Sequence, residues 1–243
     1  MTATLVLPAD DTGLSRAAEL LHAGELVAMP TETVYGLAGD ARNDMAVARI
    51  FAAKNRPRFN PLIVHLAQVE QVTQLARMTP LAHKLAQAFW PGPLTLVLPL
   101  LPASGLSALV TAGLDTVAIR LPAHPVARAL LARFGGPVAA PSANPSGQIS
   151  PVSTAHVLAG LEGRIAAVVE GGDCAVGLES TILDVTGTVP VLLREGGLPR
   201  EEIERVLGVP VVMPLPGGPV TAPGQLRSHY APRGTLRLNA HSA

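Results

Sequence analysis

Apolar and polar positions follow two rhythms along this chain. Over residues 12–23 apolar side chains return every three or four places, with Asp11 or Thr12 as a cap and Gly24 as a stop, which predicts a helix. Leu26–Met29 is then continuously apolar, as a short buried strand would be. The same reading places helices near 44–53, 68–77, 80–89, 125–133, 153–160 and 201–207. It places strands near 62–66, 94–98, 117–121, 138–140, 165–170, 181–185 and 189–194. The last two fit a hairpin through Thr186-Gly187-Thr188. Helices and strands interleaved in this way predict an α/β layered domain on a mixed sheet.

The rhythm stops after Gly208. Residues 209–225 carry five prolines and three glycines in 17 positions, the composition of an extended linker. The expected organisation is therefore one domain over 1–208, followed by a Pro/Gly-rich linker and tail over 209–243. No repeat or low-complexity tract interrupts the first two hundred residues.

Composition narrows the function classes. With 48% hydrophobic but only 3% aromatic residues, the core must be built from Ala, Val and Leu, which suits a sheet covered by Ala-rich helices. Formal net charge is zero, whereas a protein that grips nucleic acid by its phosphates carries a basic excess. Tight nucleic-acid binding is not expected. Sixteen of the 18 cations are Arg, and the two lysines are Lys54 and Lys84. A lone cysteine, Cys174, allows no intrachain disulfide and no multi-cysteine zinc site. The first residues lack a basic region followed by an apolar stretch, and the apolar run Leu94–Leu101 is too short to span a bilayer. A cytoplasmic protein, most simply a monomer, is the expectation.

Three loops concentrate chemistry. Pro30–Asp40 follows a buried strand, the place where ligands collect in open α/β sheets, and crowds Thr31, Glu32, Thr33 and Tyr35 together. Read alone it is equally a polar turn with a cap. Lys54, Arg56 and Arg58 fall between a helix and a strand; their cations suit a polyphosphate, and equally a helix C-terminus. The chain contains no Walker-type GxxxxGK[ST] loop. Ala140–Pro151 presents Ser142, Asn144, Ser146, Gln148 and Ser150, whose hydroxyls and amides can cradle phosphate or merely solvate a turn. His65 on its own reads as a core histidine. Nothing favours a Ser-His-Asp triad, and HExxH is absent.

Together the segments PTETVYGL, Lys54-x-Arg56 with NPLIVHL, WPGPLTLVL, TVAIRLP, APSANPSG, ESTILD and LLREG, in this order from Met29 to Gly197, resemble the YrdC-like family of threonylcarbamoyl-AMP synthases. HYAP at 229–232 resembles the linker of that family's longer form, whose second, smaller α/β domain is expected to be absent here. The resemblance implies a twisted mixed-sheet domain with a large concave cavity. It implies condensation of L-threonine, bicarbonate or CO2, and ATP into threonylcarbamoyl-AMP and pyrophosphate, a nucleotidyl transfer that feeds the threonylcarbamoyladenosine modification of tRNA. Partners would be downstream tRNA threonylcarbamoyl transferase proteins. Mg2+ would arrive mainly on the ATP phosphates. The threonine end would involve Thr33, His65, Arg120 and Ser180. The nucleotide end would involve Lys54, Arg56, Asn60, Thr116, Ser142, Asn144, Ser150, Arg194 and Tyr230, with Lys54 and Arg56 stabilising charge. Ala140 departs from members that carry Thr there. No general base is evident from the sequence, so positioning and electrostatics are expected to dominate. Rival readings are a carbamoyltransferase module of a larger maturation protein, an RNA-binding module, and a nucleotide-binding regulator without turnover.

Overall fold

A computed structural model describes residues 3–56, 60–214 and 222–223. Its strands are β1 (Leu5–Pro8), β2 (Val27–Met29), β3 (Gly36–Asp40), β4 (Ile63–His65), β5 (Leu94–Pro99), β6 (Thr116–Arg120), β7 (Val138–Ala139), β8 (Ala167–Glu170), β9 (Thr181–Asp184) and β10 (Val191–Arg194). Its helices are α1 (Asp11–His22), α2 (Asp44–Lys54), α3 (Pro80–Phe89), α4 (Ala108–Thr111), α5 (Pro125–Phe134), α6 (Thr154–Leu161) and α7 (Arg200–Leu207). The strands form one mixed sheet in the order β1-β8-β2-β3-β7-β4-β6-β5-β9-β10.

Local chemistry sets the helix ends. Asp10, rather than the expected Asp11 or Thr12, caps α1 through Gly13 N, since Asp11 is already the first helical residue; Asn43 caps α2 through Met45 N and Ala46 N, and Thr79 caps α3 through Ala82 N. Pro125 opens α5, where a missing N–H costs nothing, and Gly135 closes it in the left-handed region at φ 74°.

Alternate residues of each strand face opposite ways and so build separate cores. Val27, Met29, Ala167 and Val169 pack with Leu14, Leu21, Leu130 and Leu131 of α1 and α5. Ala28, Val64, Leu96, Ile119 and Leu183 pack on the other face with Val47, Ile50, Leu85, Val157 and Ile203. A third, small cluster of Ile63, Val97, Ala118 and Ile182 lies on β4, β5, β6 and β9. It packs against Ala222 of the C-terminal segment and has no helical residue among its members. This is the face on which a site can open.

Two sequence expectations change. Pro30–Asp40 is not one loop, because Gly36–Asp40 is β3, antiparallel to β2. GLAGD has no β-branched residue to announce a strand. Its glycines are set by space: a Cβ at Gly39 would stand 3.1 Å from Ile50 and Leu26, and one at Gly36 3.3 Å from Ala140. The helix expected over 68–77 is a 3-10 segment, Val69–Gln74. β1 and α4 gave no clear sequence signal. After α7 the chain returns to the sheet, Leu192 N donating to Val212 O at 2.8 Å.

Candidate functional site

The register of the sheet assembles one end of a cleft. His65 at the end of β4 is the register partner of Arg120 at the end of β6, and Arg120 is the partner of Thr95 on β5. Register partners project to the same face, so these side chains continue outward from the floor made by Ile63, Ala118 and Val97. Ser180, just before β9, completes the group, its hydroxyl 2.7 Å from that of Thr95.

The strand-end loop after β2 is folded back by Thr31, whose hydroxyl donates to Val34 O at 2.6 Å and accepts from the N–H groups of Thr33 and Val34. Its outer side is tied to a second loop: Val176 N donates to Glu32 O and Gly177 N to Thr33 O. Buried Tyr35 donates to Gly172 O at 2.8 Å and fixes the same pair of loops. Thr33 thereby meets Arg120, whose guanidinium donates to Thr33 Oγ1 at 2.8 Å, to Glu32 Oε1 at 2.6 Å and to Gly92 O at 3.3 Å. Glu32 Oε2 also accepts from Ala123 N. Arg120 and Glu32 are a buried ion pair, with side chains 4% and 13% exposed.

His65 is fully enclosed. Burial first, and the Arg120 charge second, push its pKa down to about 3, so the ring is neutral at ordinary pH. Its Nδ1 lies 3.3 Å from Ile63 O. This depression has a pH signature. The unfolded histidine takes up a proton below about pH 6.5, whereas the folded one resists until about pH 3, so stability is complete above 6.5 and is lost as pH falls. Urea unfolding at stepped pH is expected to show a wild-type loss of up to ~1.4 kcal/mol per pH unit in that window from this group, absent in His65→Gln.

The other end of the cleft is built by α2 and the loop after β7. That loop is held by Leu37 N donating to Pro141 O, Ala143 N to Tyr35 O and Ser146 N to Lys54 O. Lys54, 2% exposed, ends α2 behind this loop, and its ammonium donates to the carbonyls of Ser142 and Asn144. Burial, then Arg56, push its pKa down to about 7, against a smaller opposing pull from Glu179. Arg56 donates to Pro61 O at 3.0 Å, and its pKa is lowered to about 10 by burial and by Arg194. Arg194 on β10 donates to the carbonyl and hydroxyl of Ser180. Ser150 donates to Glu179 Oε1.

Thr33, Arg56, His65, Arg120, Ser142, Ser180 and Arg194 therefore line one cleft, together with Glu179 and Pro223. The cleft is narrow, about 40 Å³, against the large cavity that the resemblance implies. A roomier groove of about 790 Å³ beside α3, lined by Met78, His83, Trp90 and Arg128, lies away from this chemistry. Lys54, Asn60, Asn144 and Ser150 stand around the cleft rather than in its lining, and each is buried. Thr116 opens β6, at the opposite end of that strand from Arg120. Tyr230 and Arg58 lie outside the described residues. Among the described residues, three buried polar atoms at the nucleotide end lack a hydrogen-bond partner: Arg56 Nε, Asn60 Oδ1 and Asn144 Oδ1. Buried groups are left unpaired rarely, and their clustering fits a place where a polar ligand supplies the missing partners. Sequence reasoning assigned no role to Glu32, Thr95 or Glu179. The signal for Glu179 was its place directly before Ser180; for Thr95 it was register alone.

Among the described residues no group of three or more His, Cys, Asp or Glu is placed to hold a metal, and no helix is long and apolar enough to cross a membrane.

Residues 19–196 match the Sua5/YciO/YrdC family model, described as telomere recombination. The chain is 48% identical over 236 residues to the threonylcarbamoyl-AMP synthase of Bacillus subtilis (strain 168), covering 96% of this chain and 68% of that one. It is 50% identical over 221 residues to that of Pyrococcus abyssi (strain GE5 / Orsay), covering 89% and 64%. The crystal structure of P. abyssi Sua5 complexed with L-threonine superposes with a TM-score of 0.88 at 45% identity, covering 95% of this chain and 69% of that one. The chain thus spans about two thirds of the length of these relatives. Shared sequence and shared fold place this chain in the Sua5/YciO/YrdC family.

Proposed function

We propose that this chain is an L-threonylcarbamoyladenylate synthase. The observation that carries the reading is a single cleft lined by three guanidinium groups, Arg120, Arg56 and Arg194. One guanidinium suits a carboxylate and the other two suit phosphates. The named relatives act in this chemistry, and one was crystallised with L-threonine.

On this reading L-threonine sits among Thr33, His65, Arg120 and Ser180, its carboxylate beside Arg120. ATP lies toward Arg56, Ser142 and Arg194, with Asn60, Asn144, Ser150 and Thr116 around it. Lys54 acts through the loop whose carbonyls it holds. Threonine and bicarbonate or CO2 first form a carbamate. Its oxygen then attacks the α-phosphorus of ATP and pyrophosphate leaves, which makes the enzyme a nucleotidyltransferase. Mg2+ fits this site as an ion borne by the nucleotide, since one carboxylate, Glu179, lines the cleft among the described residues and no metal-binding cluster stands there. Bound there it would neutralise charge on the phosphates.

The neutral buried ring of His65 adds no charge to a substrate's ammonium. Residues 1–208 are the catalytic domain in this assignment and 209–243 a linker and tail. The product would pass, in the cytoplasm, to proteins that transfer the threonylcarbamoyl group to tRNA.

The test is pyrophosphate release from ATP with threonine and bicarbonate each present or omitted. Release that needs both is the expected result. Release needing neither would overturn the proposal, as would ATP binding with no release under any combination.

A further inference from the structure

One hydroxyl of the cleft has its role decided by its neighbours. Ser180 Oγ lies 2.7 Å from Thr95 Oγ1 and accepts from Arg194 Nη2 at 3.1 Å. Ser180 is buried, and Thr95 has no exposed surface at all. The sheet fixes the pair: Thr95 is the register partner of Ile182 on β9, and Ser180 stands two residues before it. Arg194 holds the same residue by its main chain, donating to Ser180 O at 2.8 and 3.1 Å.

The distance between the two hydroxyls does not say which one donates, but their hydrogens do. A hydroxyl has one hydrogen and two lone pairs, and a guanidinium has only hydrogens to offer. Ser180 therefore accepts from Arg194. Among the described residues, Thr95 Oγ1 meets no acceptor other than Ser180 Oγ. Were Ser180 to donate to Thr95, the Thr95 hydrogen would be buried without a partner, which native interiors rarely tolerate. Thr95 is the donor, and both lone pairs of Ser180 are filled. What remains is the hydrogen of Ser180. No described residue accepts it, and Ser180 lines the cleft.

Resting on the function proposed above, we propose that Thr95 is a positioning residue which, together with Arg194, fixes Ser180 as a hydrogen-bond donor to a carboxylate-type oxygen of the substrate. With its lone pairs taken, Ser180 has nothing to offer the substrate ammonium. Two donors arriving at one oxygen also polarise its O–H bond, so the bond it makes to an anion is stronger than that of a lone serine. Arg120, beside which the substrate carboxylate is assigned, is the register partner of Thr95. The accepting oxygen belongs to threonine or to the carbamate formed from it, and both are anionic oxygens on a carboxyl carbon.

The experiment is calorimetric titration with L-threonine, together with steady-state pyrophosphate release, on wild type, Thr95→Val, Thr95→Ser, Ser180→Ala and the double variant Thr95→Val, Ser180→Ala. Valine keeps the shape and removes the donor; serine keeps the donor and removes a methyl. The Val variant is expected to bind L-threonine about tenfold more weakly, and the Ser variant within about twofold of wild type. Ser180→Ala should show a similar loss, and the double variant should be no weaker than Ser180→Ala alone. A Val variant that binds L-threonine normally but turns over about tenfold more slowly puts the acceptor on the carbamate. Normal binding with normal turnover overturns the proposal. A packing role reverses the order, with serine worse than valine, and overturns it as well, as do losses that add in the double variant. Should Thr95→Val not fold, Thr95→Cys, whose thiol is a weak donor, must show the same loss, and wild-type behaviour there overturns the proposal. Wild-type protein that releases pyrophosphate without threonine sinks the underlying function instead, and that control is read before any variant.

Discussion

Replacing Arg120 by Ala is expected to lower the thermal unfolding midpoint by roughly 6–12 °C and to remove threonine-dependent pyrophosphate release. The stability effect follows from what is left behind. Glu32 keeps its charge in a site only 13% open to solvent, and the hydroxyl of Thr33 and Gly92 O lose a donor. Stranding one member of a buried pair costs about 3–5 kcal/mol, and partial exposure of Glu32 argues for the low end. In a chain of this size each kcal/mol moves the midpoint by about 2–4 °C. The double variant Glu32→Gln, Arg120→Met separates the two effects. It removes both charges together, so most of the lost stability should return, while threonine binding should not. A single variant with an unchanged midpoint would show that the pair is not buried in solution. A double variant with a normal KM for threonine would show that Arg120 does not hold the substrate carboxylate.

Lys54→Ala is expected to slow turnover by about 100-fold and to raise the KM for ATP, with little change in the KM for threonine. The reason is positional. Two buried carbonyls, of Ser142 and Asn144, lose their donor, and each orphaned group costs about 1–3 kcal/mol. The loop relaxes toward solvent to satisfy them, and Ser142 leaves its place in the cleft wall. Lys54→Arg should not rescue, because a planar fork cannot occupy a socket shaped for a compact ammonium. Urea unfolding and steady-state kinetics on both variants check this. Near wild-type turnover in either would sink the anchoring role.

Much of the fold was legible because its signals are local. Gly24 at the end of α1, and Pro80 and Pro125 at the starts of α3 and α5, stand beside the apolar periodicity they bound. β3 was not legible, since its glycines answer to Ile50, Leu26 and Ala140 from elsewhere in the chain. The same division holds in the site. Thr33, Arg56, His65, Arg120, Ser142, Ser180 and Arg194 were expected from the resemblance and do line one cleft. Their partners were not foreseen. Glu32 meets Arg120 across 88 positions, and Ser150 meets Glu179 across 29, separations at which no pattern in the sequence records a contact. Nor could the sequence show that the Lys54 ammonium turns to carbonyls of its own fold, because that direction depends on a loop delivered by β7.

The register that joins His65 to Arg120, and the hydrogen bonds from Arg194 to Ser180, also dictate when activity can first exist. These residues lie far apart in the sequence and meet only after several sheet crossovers are complete. Arg194 lies on β10, an edge strand paired with β9 and bridged on its other side by Val212. A nascent chain halted on the ribosome before that return has emerged would hold Lys54 and His65 without a nucleotide wall to face them. Competence should therefore arrive late and all at once during synthesis, with partial products inert rather than weakly active.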